Sequence, residues 1–349
     1  MEFFRRGRQP GVAAALGAAV LFGAGTPLAK MLLQSVNPWL LAALLYLGSG
    51  LGLFTYRFLR RKPSVILARD DVPWLVGAIG AGGVAGPLLL MFGLSAMPAS
   101  GASLLLNAES VFTALLAWLA FRENVDRRIA LGMVAIAGGA VVLGWQGELR
   151  FAGLRPALLI LAACFAWAVD NNLTRRVSLT DATWLAAVKG LVAGVANLCL
   201  ALGSGSIPPP WPIIAGGLVV GFLAYGVSLT LFVVALRHLG SARTGAYFAV
   251  APFVGALLAI LSGEPLTPRV AAAGLLMGVG VWLHLTERHQ HRHHHEALEH
   301  DHEHRHDEHH QHSHPFPIDP AVRHSHPHYH PPLTHNHTHF PDAHHRHSH

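Results

Sequence analysis

Ten apolar runs, each close to the roughly 20 residues that a helix needs to cross a bilayer, fill the first 286 residues and leave few folds open to the chain. They lie near 11–33, 38–56, 72–95, 100–120, 128–146, 155–174, 182–203, 212–235, 243–262 and 268–286. The sequence therefore predicts an all-α membrane protein of ten transmembrane helices. Composition agrees: 52% of residues are hydrophobic and 13% charged, against about 25% charged in soluble domains. The 36 glycines suit helices that must approach closely in lipid, where no hydrophobic drive brings them together.

Charge divides the chain in two. Residues 1–286 hold 20 Lys and Arg against 10 Asp and Glu, whereas residues 287–349 hold 5 against 9. The cations of the apolar part cluster between runs: Arg5, Arg6 and Arg8; Arg57, Arg60, Arg61, Lys62 and Arg69; Arg122, Arg127 and Arg128; Arg175 and Arg176; Arg237 and Arg243. These groups fall on one side of the predicted membrane, and the opposite loops carry Arg150, Arg155 and Arg269. The positive-inside rule then places both termini in the cytoplasm, for a multi-pass protein of the inner (plasma) membrane. Topology accounts for the basic residues, and nucleic acid is not an expected partner. Cys164 and Cys199 lie inside apolar runs and define no disulfide framework. The first run begins near Gly11, is long enough to span and lacks a small-residue cleavage site, so it is expected to stay as the first helix.

The apolar part repeats itself. Ser100-Gly101-Ala102, Phe112, Arg122-Glu123 and Leu143-Gly144-Trp145 recur as Ser241-Ala242-Arg243, Phe253, Gly263-Glu264 and Val279-Gly280-Val281-Trp282, in a register of about 141 residues. Phe22-Gly23 and Lys30 of the first run match Trp167-Ala168 and Arg175 of the sixth. Five spans per repeat is an odd number, so the two halves are expected to be inverted relative to each other: residues 1–146 and 147–286, with a tail at 287–349. Carriers with inverted repeats hold substrate near the midplane between halves.

Phe112-Thr113-Ala114-Leu115-Leu116-Ala117-Trp118-Leu119-Ala120-Phe121-Arg122-Glu123 and its counterpart from Pro252-Phe253 to Gly263-Glu264 resemble the signature of EamA-type carriers of the drug/metabolite transporter superfamily. Phe22 through Lys30 is similar to that family's first-helix motif, and Cys164-Phe165-Ala166-Trp167-Ala168 to its sixth. Ser110 and Phe22 depart from it, where many members carry Pro and Trp. The resemblance covers about residues 11 to 286 and implies secondary transport of a small molecule, the family exporting amino acids, metabolites and toxic compounds.

Ionisable groups inside a span cost about 2.5–3.5 kcal/mol on insertion scales and usually face the bundle interior with a partner. Glu109 stands mid-span in the fourth run, with Asn107 and Thr113 among its polar neighbours, and reads as a substrate or proton site. Asp170 and Asn171 precede Arg175 and Arg176 in the sixth run, where the resemblance implies a cavity-lining motif; an interfacial ion pair is the alternative. Lys189 either snorkels or pairs with Asp170 or Glu109. Lys30 resembles the cavity-end lysine of the family, and its place near the outer edge equally permits snorkelling. Glu109, Asn107, Asp170, Asn171, Lys189 and Lys30 form the candidate substrate set. No nucleophile, base and oxyanion set and no phosphate-cradling loop point to an enzyme.

Of the 26 histidines, 24 fall between His289 and His349. Many alternate: His300, His302, His304 and His306; His324, His326, His328 and His330; His335, His337 and His339; His345, His347 and His349. In an extended chain alternate residues point the same way, and two imidazoles can close on one ion. With few apolar residues and many prolines, the tail is expected to be disordered without metal. Its nitrogen-rich donor set suits Zn²⁺, Ni²⁺, Co²⁺ or Cu²⁺. The membrane part requires no cofactor on this reading. Its partners are the lipid bilayer, a small-molecule substrate and divalent metal ions, and a homodimer is left open. Three functions compete: a carrier of an organic solute with a regulatory or buffering metal tail, a carrier of the metal itself, and a metal or pH sensor that transports nothing.

Overall fold

The computed structural model describes residues 10–63, 65, 67–121, 127–144, 151–177 and 181–285, together with residues 290–295, 298–304, 324–330 and 333–338. The chain divides into two compact units, Met1–Glu287 and Arg288–His349.

The described part of the first unit consists of helices joined by turns and short connections. It contains α1 (Pro10–Leu32), α2 (Pro38–Leu59), α3 (Val72–Ala78), α4 (Gly86–Ser95), α5 (Ala99–Leu105), α6 (Ala108–Phe121) and α7 (Arg127–Gly144). There follow α8 (Phe151–Val177), α9 (Ala182–Gly203), α10 (Trp211–Val220), α11 (Ser228–Phe248), α12 (Ala251–Leu261) and α13 (Pro268–Leu285). Two π-helical segments, Ile79–Ala85 and Gly221–Val227, join α3 to α4 and α10 to α11. Among the described residues seven helical stretches are long and apolar enough to cross a membrane, and three shorter apolar helices, Ala130–Leu143, Ala251–Leu261 and Pro268–Leu283, accompany them.

The irregularities of the helices repeat as the sequence does. From Ile79 to Gly221, where the two π segments begin, is 142 positions. The fourth predicted run is interrupted at Leu106–Asn107, and 143 positions later α11 gives way to α12 at Ala249–Val250. Both interruptions have local causes. Pro252 has no N–H to give to Phe248 O, so the helical hydrogen-bond ladder is interrupted there and restarts at Ala251. At the first break the Asn107 amide donates to Leu104 O at 3.1 Å and the Ser110 hydroxyl to Asn107 O at 2.7 Å, so side chains compete for the helical carbonyls.

One expected boundary moves. The eighth and ninth runs were separated at about 236–242, where Arg237, His238 and Arg243 lower the hydropathy, yet α11 continues through that stretch and stops at Phe248. The stretch holds no proline, so charge alone does not end the helix.

The halves meet reciprocally. A Cβ on Gly50 of α2 would lie 2.3 Å from Leu191 N of α9, and one on Gly194 of α9 would lie 2.6 Å from Leu47 N of α2. Gly50 with Leu191, and Leu47 with Gly194, are one contact made in both directions with each partner shifted by 144 positions. Such a crossing is what a two-fold relation between halves produces. At one end of this pair, Arg57 of α2 donates to Asp181 Oδ1 at 2.5 Å, to Thr183 Oγ1 at 2.7 Å and to Pro63 O at 2.8 Å. Asp181 also caps α9 by accepting from Trp184 N at 2.8 Å.

In the second unit the expected disorder is corrected over four stretches: β1 (Gln290–His295), β2 (Leu298–His304), β3 (His324–His330) and β4 (Leu333–Thr338) are strands. β1 pairs with β4 and β2 with β3, both antiparallel. Alternating histidine is a period-two pattern, the period of a strand, and cross-strand pairing satisfies the backbone groups that low hydrophobicity leaves without a core.

Candidate functional site

The π segment between α3 and α4 shapes a cavity. Pro87 has no N–H for the carbonyls a turn behind it, and side chains from three other helices take them instead. Tyr46 Oη donates to Gly82 O at 2.6 Å, Trp167 Nε1 to the same oxygen at 2.9 Å, and Asn197 Nδ2 to Gly83 O at 2.9 Å. These bonds fix the rings of Tyr46 and Trp167 in the cavity wall. Gly82 must lack a side chain here, because a Cβ would fall directly on the Asp170 carboxylate.

The cavity encloses about 640 Å³ of atom-free space, its open mouth included. Glu109, Asp170, Asn171 and Lys189 line it together with Phe22, Tyr46, Trp167, Tyr225, Phe232 and Phe248. Glu109 lies in the first turn of α6, just beyond the break at Leu106–Asn107, and its Oε1 accepts from Asn171 Nδ2 of α8 at 2.7 Å. The partial positive charge at the start of α6 steadies this carboxylate. Lys189 of α9 donates to Asp170 Oδ1 at 2.6 Å and to Thr174 Oγ1 at 3.0 Å, and Thr174 also donates to Asp170 Oδ1 at 2.8 Å. Lys189 is buried, so of the two fates open to it in the sequence it takes the ion pair and not the snorkel. Among the described residues no ion pair engages Glu109.

Two of the sequence candidates stand elsewhere. Asn107 is buried at the break, donating to Leu104 O and, at 3.8 Å, to Met277 Sδ of α13. Lys30, near the far end of α1, donates to Leu94 O at 2.8 Å and Ser95 O at 3.3 Å at the end of α4. Nearby, Glu264 accepts from Ala99 N at 2.7 Å and Ser100 N at 2.8 Å, capping α5 from a distant part of the chain. Burial alone would raise the Glu264 carboxyl, but the Ser100 and Ala99 bonds and the Lys30 charge together hold it below its ordinary value. This cluster ties together the end opposite Arg57 and Asp181.

The aromatic wall was not singled out from sequence. Phe22 stands edge-on to Trp167 at 5.9 Å and to Tyr225 at 5.8 Å, and 5.3 Å from Phe248. Tyr46 and Tyr225 are 5.4 Å apart, and Phe232 and Phe248 4.9 Å. The usable signal was Pro87 behind Gly82-Gly83, a pattern that frees carbonyls and calls for ring donors nearby.

Of the tail histidines proposed as metal ligands, His306, His339, His345, His347 and His349 lie outside the described residues. For His300, His302, His304, His324, His326, His328, His330, His335 and His337 the backbone is described. The register sets His300 opposite His328, His302 opposite His326 and His304 opposite His324, with His293 opposite His335 and His291 opposite His337.

A helical bundle with spans of membrane length, a duplicated architecture and an aromatic-walled cavity holding a buried ion pair is the build of a multi-pass membrane transporter. Residues 9–145 and 154–286 each match the EamA-like transporter family, and the chain belongs to that family; it is not an enzyme. An uncharacterized transporter of Methanothermobacter thermautotrophicus is 31% identical over 76% of this chain and 83% of its own length. A probable amino-acid metabolite efflux pump of Salmonella typhimurium is 26% identical, covering 78% of this chain and 93% of that protein. The uncharacterized inner membrane transporter YedA of Escherichia coli K12 is 23% identical over 71% and 81%. One crystal structure, 21% identical, covers 80% of this chain and 99% of its own with a TM-score of 0.63, and shares the fold.

Proposed function

We propose that the protein is a secondary carrier exporting a small organic solute across the inner membrane, with ten spans in two inverted halves and both termini in the cytoplasm. The observation that carries this reading is Glu109: a carboxylate lining the cavity, hydrogen-bonded by Asn171, with no cation paired to it among the described residues. A group so placed binds either a proton or a positively charged part of the cargo, and exchange of one for the other couples export to a proton gradient. Asp170, Asn171 and Lys189 complete the cargo site, and Asn107 and Lys30 support it from the helix break and from the end where α1 meets α4. The efflux role in the name of the Salmonella typhimurium relative supports the direction.

The tail reads as a divalent-metal site that buffers or regulates. Cross-strand histidine pairs support this, since directly opposed residues bring Cβ atoms to about 5 Å, and two-stranded ribbons are marginal without a further tie. The alternative reading makes the metal ion the cargo, with the tail collecting it.

Proteoliposomes assayed against amino acids, amines, other metabolites and Zn²⁺, Ni²⁺, Co²⁺ and Cu²⁺ test the reading. Flux of an organic solute, lost in Glu109→Gln at unchanged folded yield, is expected. Metal flux in its place would favour the alternative, and no flux of any kind would leave a sensor. A reporter fused after His284 should lie in the cytoplasm.

A further inference from the structure

The charges and rings of the cavity define its cargo more narrowly than export of an organic solute does, and this narrowing rests on the cavity being the cargo site. We infer that the cargo is a monocation, an amine or organic cation with an aromatic or apolar body and no free carboxylate.

Glu109, Asp170 and Lys189 are the acidic and basic side chains among the residues that line the cavity. Lys189 is committed, with Asp170 Oδ1 at 2.6 Å and Thr174 Oγ1 at 3.0 Å, so this pair presents no net charge. Glu109 keeps one carboxylate oxygen on Asn171 and, among the described residues, pairs with no cation, so when ionised it gives the cavity a negative charge that none of them compensates. The α6 N-terminus does not offer a rival anion site, because Glu109 itself stands in that first turn. Among the described residues, a cargo carboxylate would have to break the Lys189–Asp170 pair or enter without a cationic partner, and either course is costly beside buried charges.

The wall adds the second half of the specification. Phe22, Trp167 and Tyr225 meet at ring separations of 5.8–5.9 Å, and Phe248 joins them at 5.3 Å from Phe22. Aromatic faces hold cations through the ring quadrupole and flat apolar bodies by contact. Trp167 and Tyr46 are held by Gly82 O, so this wall is preformed.

The test compares tryptamine, tryptophan and N-acetyltryptamine, which share a ring system and differ in charge. Equilibrium binding to the intact purified protein is measured apart from flux. Tryptamine should bind, with tryptophan and N-acetyltryptamine each weaker by about ten-fold or more, and Glu109→Gln should weaken tryptamine on the order of ten- to a hundred-fold. Equal or tighter binding of tryptophan, equal binding of N-acetyltryptamine, full tryptamine affinity in Glu109→Gln, or binding of none of the three would each overturn the inference. Should Glu109→Gln not fold, the three ligands on the wild-type protein decide alone. Tryptamine binding with this preference but no flux would support the inference and sink the carrier reading. Flux of tryptophan without preference for tryptamine would do the reverse.

Discussion

Lys189 Nζ and Asp170 Oδ1 meet at 2.6 Å with their side chains 3% and 11% exposed, so two charges from different helices have left water together. Removing one partner strands the other. Lys189→Met should therefore cost about 3–5 kcal/mol of stability, and the double change Lys189→Met with Asp170→Asn markedly less, because no buried charge is left unpaired. Thermal unfolding of the four proteins in detergent gives the comparison. A double variant as unstable as the sum of the singles would mean that the two residues act independently.

A second prediction concerns the crossing of α2 and α9. Gly50→Ala and Gly194→Ala place a methyl group within 2.3 Å and 2.6 Å of facing backbone nitrogen, where no rotamer can relieve the contact. Each should cost about 1–3 kcal/mol. Gly203, with nothing within 4 Å of its added Cβ, is the control, and Gly203→Ala should be neutral or slightly stabilising. Melting curves that fail to separate the first two variants from the third would show that the helices slide apart freely.

Much of this was legible in sequence for one reason: lipid demands long apolar runs, and such runs read directly from hydropathy. Most of the predicted runs overlie described helices for that reason, although seven helical stretches among the described residues are long and apolar enough to span and one expected boundary moves. What escaped was local to the backbone or lay between helices. The interruption at Leu106–Asn107 contains no proline, and the π segments at Ile79–Ala85 and Gly221–Val227 leave the apolar run unbroken, so hydropathy passes over them. The partner of Lys189 depended on how α8 packs on α9, which no spacing within one helix reveals. The arginines near 237–243 misled in the opposite sense, since a loop was expected where the helix continues. In the tail the period-two pattern was plain, but which strand faces which is a matter of register that alternation alone leaves open.

Two carboxylates outside the spans, Asp181 and Glu264, predict acid lability. Burial would raise the Asp181 carboxyl, but the Thr183 hydroxyl, Trp184 N–H and the Arg57 guanidinium together hold it below its ordinary value, and Glu264 is likewise lowered. A carboxyl depressed in the folded state contributes stability that is fully present above its unfolded pKa, near 4, and is lost as pH falls through the folded value. Stability should thus be flat in these two groups from pH 7 to about 5 and fall below about 4. Asp181→Asn should lose about 1 kcal/mol at pH 7 from a weakened cap and the lost Arg57 pair, with the difference from wild type shrinking in acid. A gap that widens on acidification would reverse the assignment.

In the tail, the register makes a prediction that a shapeless histidine-rich chain would not. If the imidazoles of His302 and His326 hold one ion between β2 and β3, then replacing both with Gln removes one site. Replacing His302 and His337 instead takes one ligand from each of two pairs, because His337 stands opposite His291 in the other ribbon, and so cripples two sites. Zn²⁺ or Ni²⁺ titrated calorimetrically into the intact protein at pH 7.5 should show about one equivalent lost from the matched variant and about two from the mismatched one. Binding should fade as pH drops through about 6, since an imidazole ligates when neutral and its unperturbed pKa is near 6.5. Equal losses from the two variants would mean that the histidines bind interchangeably and that the paired register does not set the sites. Unchanged binding in both would remove His302, His326 and His337 from the ligand set.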